Sequence, residues 1–178
     1  MAATERLLVE HGKAVSTREI AEAAGIAEGT IFRVFATKDA IIDAIFDDAF
    51  DGRADRVRME GLEPGASLED CLVEVVSLTQ RRIQRVMALF AAVGFRQPQG
   101  RPEILEQRSQ GYDAIAKALT PYASQLRTRP DAAARLLHGV VLAMTHPMLT
   151  DRPITDPAAV VALVLHGIAA NPEGSPAR

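Results

Sequence analysis

The chain has 178 residues, 48% of them hydrophobic and 24% charged, with a net charge of −3 at neutral pH. Those proportions are ordinary for a globular protein and exclude a disordered chain, a coiled-coil rod and a collagen-like repeat. Aromatics contribute 4% and tryptophan is absent, so the core must be assembled from Ala, Leu, Val and Ile, and Ala and Leu favour helix.

Taken in chain order, the helical punctuation is early and dense. Residues 4–10 carry Leu7 and Leu8 and stop at Gly12, a good residue for a left-handed helix end. Ser16 precedes a short helix with Glu19 three residues on, the signature of a capping box, and Gly25 ends it. Residues 29–35 read as another short helix. Thr37 caps a longer one that carries Ile41, Ile42, Ile45 and Phe46 at helical spacing and continues into the body. Residues 60–65 form a loop of turn residues. Beyond it Leu68, Leu72, Val75, Thr79, Ile83, Val86 and Phe90 make one apolar stripe, a helix of about seven turns. A second break at 97–102 precedes helical stretches at 103–119, 122–127, 131–145 and 157–170, and the tail from 171 reads as frayed. No segment alternates apolar and polar residues with β-branched enrichment. The expected fold is therefore all-α: a three-helix head over residues 1–46, joined by a continuous helix to a larger helical body over residues 47–178.

Two short helices around a tight glycine-containing turn describe a helix-turn-helix, whose second helix can enter the major groove of DNA. The stretch Ser16-Thr17-Arg18-Glu19-Ile20-Ala21-Glu22-Ala23-Ala24-Gly25-Ile26-Ala27-Glu28-Gly29-Thr30-Ile31-Phe32-Arg33-Val34-Phe35-Ala36-Thr37-Lys38-Asp39 resembles the DNA-binding signature of the tetracycline-repressor (TetR) family. The resemblance covers the head almost completely. It implies that Ile20, Ala21, Ala24, Ile26, Ile31 and Phe35 pack the helices together. It also implies that Thr17, Arg18, Glu28, Gly29, Thr30, Phe32, Arg33 and Lys38 face double-stranded DNA. Thr17 would offer a hydroxyl or its backbone N–H to a phosphate, and Arg18 would either read guanine or pair with Glu22 at i+4. Thr30 suits phosphate or a thymine methyl, and Gly29 admits close backbone approach. Lys38 suits a phosphate, because a cation at a helix N-terminus otherwise opposes the dipole.

The chain departs from the family pattern at Ala27, Phe32 and Val34, where polar residues that reach phosphates are common in the resembling family. Residues 1–50 hold five basic and nine acidic side chains, so the head should gain little from counterion release.

In the body, residues 158–170 are apolar all round but for His166 and Gly167, which asks for burial on most sides. The family resemblance implies that the last two long helices form a four-helix homodimer interface, here through Leu136, Leu137, Val140, Val141, Val161 and Leu165. A two-fold dimer would set two recognition helices one DNA turn apart, to match a palindromic operator. The family also implies an effector pocket, for which Arg82, Met87, Phe90, Tyr112, His138 and Met144 are the candidates. Arg82 sits on the apolar face of its helix and needs a partner: an internal carboxylate such as Glu106 or Asp113, an acidic group of an effector, or solvent reached by snorkelling.

Chemistry of other kinds finds little footing. A lone cysteine, Cys71, forms neither an intramolecular disulfide nor a paired-cysteine zinc site. The four histidines, at 11, 138, 146 and 166, lack metal-binding spacing. No catalytic residue, metal or cofactor is expected. The N-terminus carries no secretion signal pattern and no apolar run is long enough for a membrane helix, so a cytoplasmic protein is expected. The reading is a DNA-binding transcription regulator, a repressor released by a small-molecule effector. The alternative is a helical dimeric interaction module without specific DNA binding.

Overall fold

The computed structural model describes residues 2–62, 67–95 and 101–167, the side chains of 101–108 excepted. The chain falls into two compact units: Met1–Val57 with Arg81–Gly111, and Arg58–Gln80 with Tyr112–Arg178. Among the described residues there is no strand, and the α-helices are α1 (Ala2–His11), α2 (Thr17–Ala24), α3 (Glu28–Val34), α4 (Lys38–Asp51), α5 (Arg53–Glu60), α6 (Leu68–Val93), α7 (Arg101–Leu119), α8 (Pro130–Thr145) and α9 (Pro157–His166). The stretch expected as a helix at 122–127 is instead a 3₁₀ turn, Thr120–Gln125. The loops expected at 60–65 and 97–102, the final residues 168–170 of the last expected helix, and the tail fall wholly or partly outside the described residues.

The first unit is held by a core in which Leu8, Ile20, Ile31, Ile42, Ile45 and Phe46 meet Val86, Leu89 and Val93 of α6. Each fully buried side chain of this size contributes roughly 1.5–3 kcal/mol. Two residues expected in this packing are not in it: Ala24 is exposed and Ile26 is 45% exposed, because both lie at the outer rim of the turn between α2 and α3. Phe35 is half-buried against the core.

The helix expected to run continuously out of the head is broken. α4 ends at Asp51, and Gly52 adopts φ +61°, a left-handed conformation that a side chain disfavours, before α5 begins. A Cβ at Gly52 would lie 2.3 Å from Nη1 of Arg82, so the missing side chain is also what gives that guanidinium its room. An ion cluster then ties the remote ends of the unit together. Arg85 on α6 grips both carboxylate oxygens of Glu5 on α1 at 2.7 Å and Asp48 on α4 at 2.7 Å.

The second unit centres on Leu72, Val75, Val76 and Leu78 of α6, Leu119 of α7, Leu137 and Val141 of α8, and Val160 and Val161 of α9. Within this single chain α9 is covered on most sides, and Ala158, Ala162 and His166, at i, i+4 and i+8, form one exposed stripe. Among the described residues no helix is long and apolar enough to cross a membrane.

Candidate nucleic-acid interface

The α2–turn–α3 unit is built by local chemistry. Ser16 Oγ accepts from the Glu19 amide at 3.2 Å, and the Ser16 amide donates to Glu19 Oε2 at 2.7 Å, a complete capping box. Hydrogen bonds from Ser16, backbone first and hydroxyl second, hold the Glu19 carboxyl below the ordinary carboxylate range. Gly25 closes α2, and the Ile26 amide donates back to the Ala21 carbonyl at 3.0 Å, turning the chain. α3 then starts behind Ala27, which supplies no side-chain cap.

Helical geometry decides which face of α3 is outward. Ile31 is 5% exposed and points into the core, so Gly29 and Arg33 lie opposite it, with Thr30 and Phe32 on the flanks. Glu28, Gly29, Thr30 and Arg33 are exposed, and Phe32 is 49% exposed. Nothing lies within 4 Å of where a Cβ at Gly29 would be, so the surface above this helix is open.

Other residues expected to face DNA are engaged within the protein. Thr17 Oγ1 donates to Glu28 Oε1 at 2.6 Å. Arg18 Nε bonds Glu22 Oε1 at 3.0 Å, the i+4 pairing that the sequence left open, and that carboxylate raises the Arg18 pKa. Lys38 Nζ donates to the carbonyls of Lys13 at 2.7 Å and Val15 at 3.1 Å. The cation at this helix start, expected to lack compensation without DNA, is therefore compensated by two carbonyls, and Lys38 pins the turn after α1 to the start of α4.

The expected effector-pocket residues divide between the units. In the first, Met87 and Phe90 pack against the core, and the Phe90 ring lies 5.2 Å from Phe46, 5.9 Å from Phe50 and 5.0 Å from Phe95. Arg82 is desolvated, which lowers its pKa, and the carboxylates that support its charge are Asp55 first and then Asp51, with Arg56 opposing. Of the expected partners, Asp113 is not among the described charges that act on Arg82, and the side chain of Glu106 lies outside the described residues. In the second unit Tyr112 and His138 meet edge to face at 5.2 Å, with the Arg135 guanidinium 5.8 Å from the Tyr112 ring centre, and Met144 is half-buried.

The expected dimer face divides as well. Leu137, Val141 and Val161 are buried in the chain's own core, at 2%, 0% and 0% exposure, and have no surface left for a second copy. Leu136 is 61% exposed, and Val140 and Leu165 are half-buried.

Gln80 escaped the sequence reading. It is 2% exposed, its Nε2 donates to the Ile154 carbonyl at 2.7 Å and to Thr145 Oγ1 at 3.3 Å, and its buried Oε1 has no partner among the described residues. Cys71 is buried with its thiol donating to the Ala118 carbonyl at 3.6 Å, and burial pushes its pKa up, the reverse of what a nucleophile needs. Among the described residues no cluster of three or more His, Cys, Asp or Glu could hold a metal.

Charge also regroups. The first unit holds thirteen basic and thirteen acidic residues, whereas the second holds seven and ten. Within the first unit, Arg81, Arg82 and Arg85 of α6 offset part of the acidic excess of residues 1–50.

Residues 1–45 match the family model for bacterial regulatory proteins of the tetR family. Two solved structures share the fold over nearly the whole chain. One is a TetR family transcriptional regulator, PfmR, from Thermus thermophilus, with a TM-score of 0.56 and 19% identity over 95% of each chain. The other is the fatty acid degradation regulator FadR from Bacillus halodurans, with a TM-score of 0.53 and 20% identity over 94% of this chain and 97% of that one. The helix-turn-helix head, residues 1–45, thus matches the tetR family of bacterial regulatory proteins, and the all-helical fold of nearly the whole chain is that of these two solved regulators.

Proposed function

We propose that the protein is a homodimeric, cytoplasmic transcription repressor. Residues 1–46 bind a palindromic operator, and residues 47–178 dimerise and take a small-molecule effector that releases the DNA. The observation that carries this reading is the open α3 surface, with Gly29 and Arg33 directly opposite the buried Ile31. Arg33 reads bases, Thr30 meets phosphate or a thymine methyl, the Thr17 backbone amide meets phosphate, and Gly29 lets the helix approach closely. Arg18 and Lys38 take part through the donors that Glu22 and the two carbonyls leave unused. Glu28 positions Thr17. Dimerisation runs through Leu136, Val140 and Leu165. The effector shifts the population towards a head spacing that no longer matches adjacent major grooves.

The test is fluorescence anisotropy with a labelled fragment from upstream of the protein's own coding region, against random DNA at two salt concentrations. Specific, salt-sensitive binding is expected. The internal engagement of Arg18 and Lys38 favours one second reading, an interaction module without specific DNA binding. An intact dimer that shifts no DNA, even at low salt, would establish that reading instead.

A further inference from the structure

Among the described residues, three of the large apolar side chains left exposed fall within nine positions of the helix-turn-helix: Ile26 at 45%, Phe32 at 49% and Val34 at 72%. Scattered exposed apolar residues need no explanation, but a cluster beside a binding face does. Phe32 flanks Arg33 on the outward side of α3, and Ile31 takes up the core-facing side, so the Phe32 ring has no core position to fill. Beside it the Thr17 hydroxyl is given to Glu28 and Arg18 Nε to Glu22. Among base edges, the major groove offers an apolar ring one complementary group, the C5 methyl of thymine.

Resting on the DNA-binding reading above, we propose that Phe32 is a specificity residue of this head, beside Arg33, and reads thymine methyls. The operator half-site then carries A·T pairs under Phe32, beside the position read by Arg33. Burying one methyl against the ring is worth about fourfold in affinity.

The experiment selects double-stranded DNA from a random pool with the full-length protein, in one arm with thymidine and in the other with deoxyuridine, which lacks only the C5 methyl. The expected result is a consensus with fixed T·A pairs in the thymidine arm. Replacing those thymines singly by deoxyuridine should weaken wild-type binding about fourfold each. Phe32→Ala should bind the thymidine and deoxyuridine duplexes equally and melt at the wild-type temperature, because the ring is half exposed. Specific binding that is indifferent to the methyls overturns the inference and leaves the DNA-binding reading standing. Methyl dependence that survives Phe32→Ala overturns the assignment to Phe32. No enrichment in either arm overturns the DNA-binding reading, and this inference with it.

Discussion

In the unit that holds the head, helices start and stop at polar groups a few residues away, and long-range ion pairs fasten them. In the unit built on α8 and α9 the helix starts are capped as well, α6 by Ser67 with Asp70 and α9 by Asp156, while the buried amide of Gln80 ties the apolar packing to the Ile154 carbonyl. Thirteen basic residues against thirteen acidic make the first unit electrically balanced, while the second carries an excess of three acidic groups. The difference teaches where to look for the partner. A DNA-facing surface has to present polar groups without a large excess of negative charge, and the equal count in the first unit favours it over the second. Arg85 pairs with the carboxylates of Glu5 and Asp48 and offsets one of their two negative charges.

This contrast can be broken at several points. The largest effect is expected from Gly12→Ala. Gly12 sits at φ +61°, and an added Cβ would lie 2.9 Å from the Ala92 carbonyl oxygen, a backbone atom with little freedom to yield. Loss of about 3 kcal/mol is expected in chemical denaturation; a change within about 0.5 kcal/mol, the range of an ordinary surface substitution, would show that α1 is not pressed against α6 as described.

Arg85→Met comes next. It leaves Glu5, only 16% exposed, without its bidentate partner, but the Arg85 side chain itself is 34% exposed and Asp48 is well solvated. After that screening the expected loss is about 1–2 kcal/mol, and it should shrink at high salt. A salt-independent loss would mean that the arginine stem, not its charge, fastens the unit.

Gln80→Met tests the other unit. It removes the bond to the Ile154 carbonyl and also the unpaired Oε1, two changes of opposite sign. A net loss of about 1 kcal/mol is expected, with faster amide exchange in the segment joining α8 to α9. Unchanged exchange there would show that Gln80 does not hold that segment.

The smallest effect belongs to pH. The Glu19 carboxyl has its pKa depressed by the capping box, so its contribution is complete above the ordinary carboxylate value and is lost as pH falls through the lower folded value. Amide exchange in α2 should therefore quicken in acid in the wild type and show less acid dependence in Glu19→Ala. The same acid dependence in both would remove Glu19 as the cause.

Legibility followed the same divide. The capping box of Ser16 and Glu19, the end of α2 at Gly25 and the Thr37 cap of α4 are contacts across three or four residues, and the sequence displays them directly. The break at Gly52 was hidden because the apolar period from Ile41 to Phe50 is strong and the charged stretch after it is also helical, so one glycine looked tolerable. Its Asp51-Gly52 pair was the available signal. Arg82 was correctly placed on an apolar face, but its partners Asp55 and Asp51 lie some thirty residues back across the broken helix, and no local pattern names them. Ala24 and Ile26 illustrate the converse: periodicity marks apolar positions without saying which neighbour is close enough to cover them. In α8 and α9 apolar residues run round much of the helix, so the sequence could not separate Leu137, Val141 and Val161, which the chain buries itself, from Leu136, which it leaves exposed. In α3, the exposure of Glu28, Gly29, Thr30, Phe32 and Arg33 around the buried Ile31 was legible as a group. That Lys38 is bonded to two carbonyls was not, because those carbonyls belong to a turn more than twenty residues upstream.

Lys38 and Arg33 together give the most direct test of the central claim, that α3 is a recognition surface on an independently satisfied scaffold. Arg33→Ala and Lys38→Met should be compared with the wild type for melting temperature and for anisotropy binding to the upstream fragment. Arg33 is exposed, so its loss should leave the melting temperature unchanged and remove specific binding. Lys38→Met should lower the melting temperature as well, by the few degrees that loss of about 1 kcal/mol produces in a chain of this size. Specific binding retained in Arg33→Ala, with an unchanged melting temperature, would contradict the account.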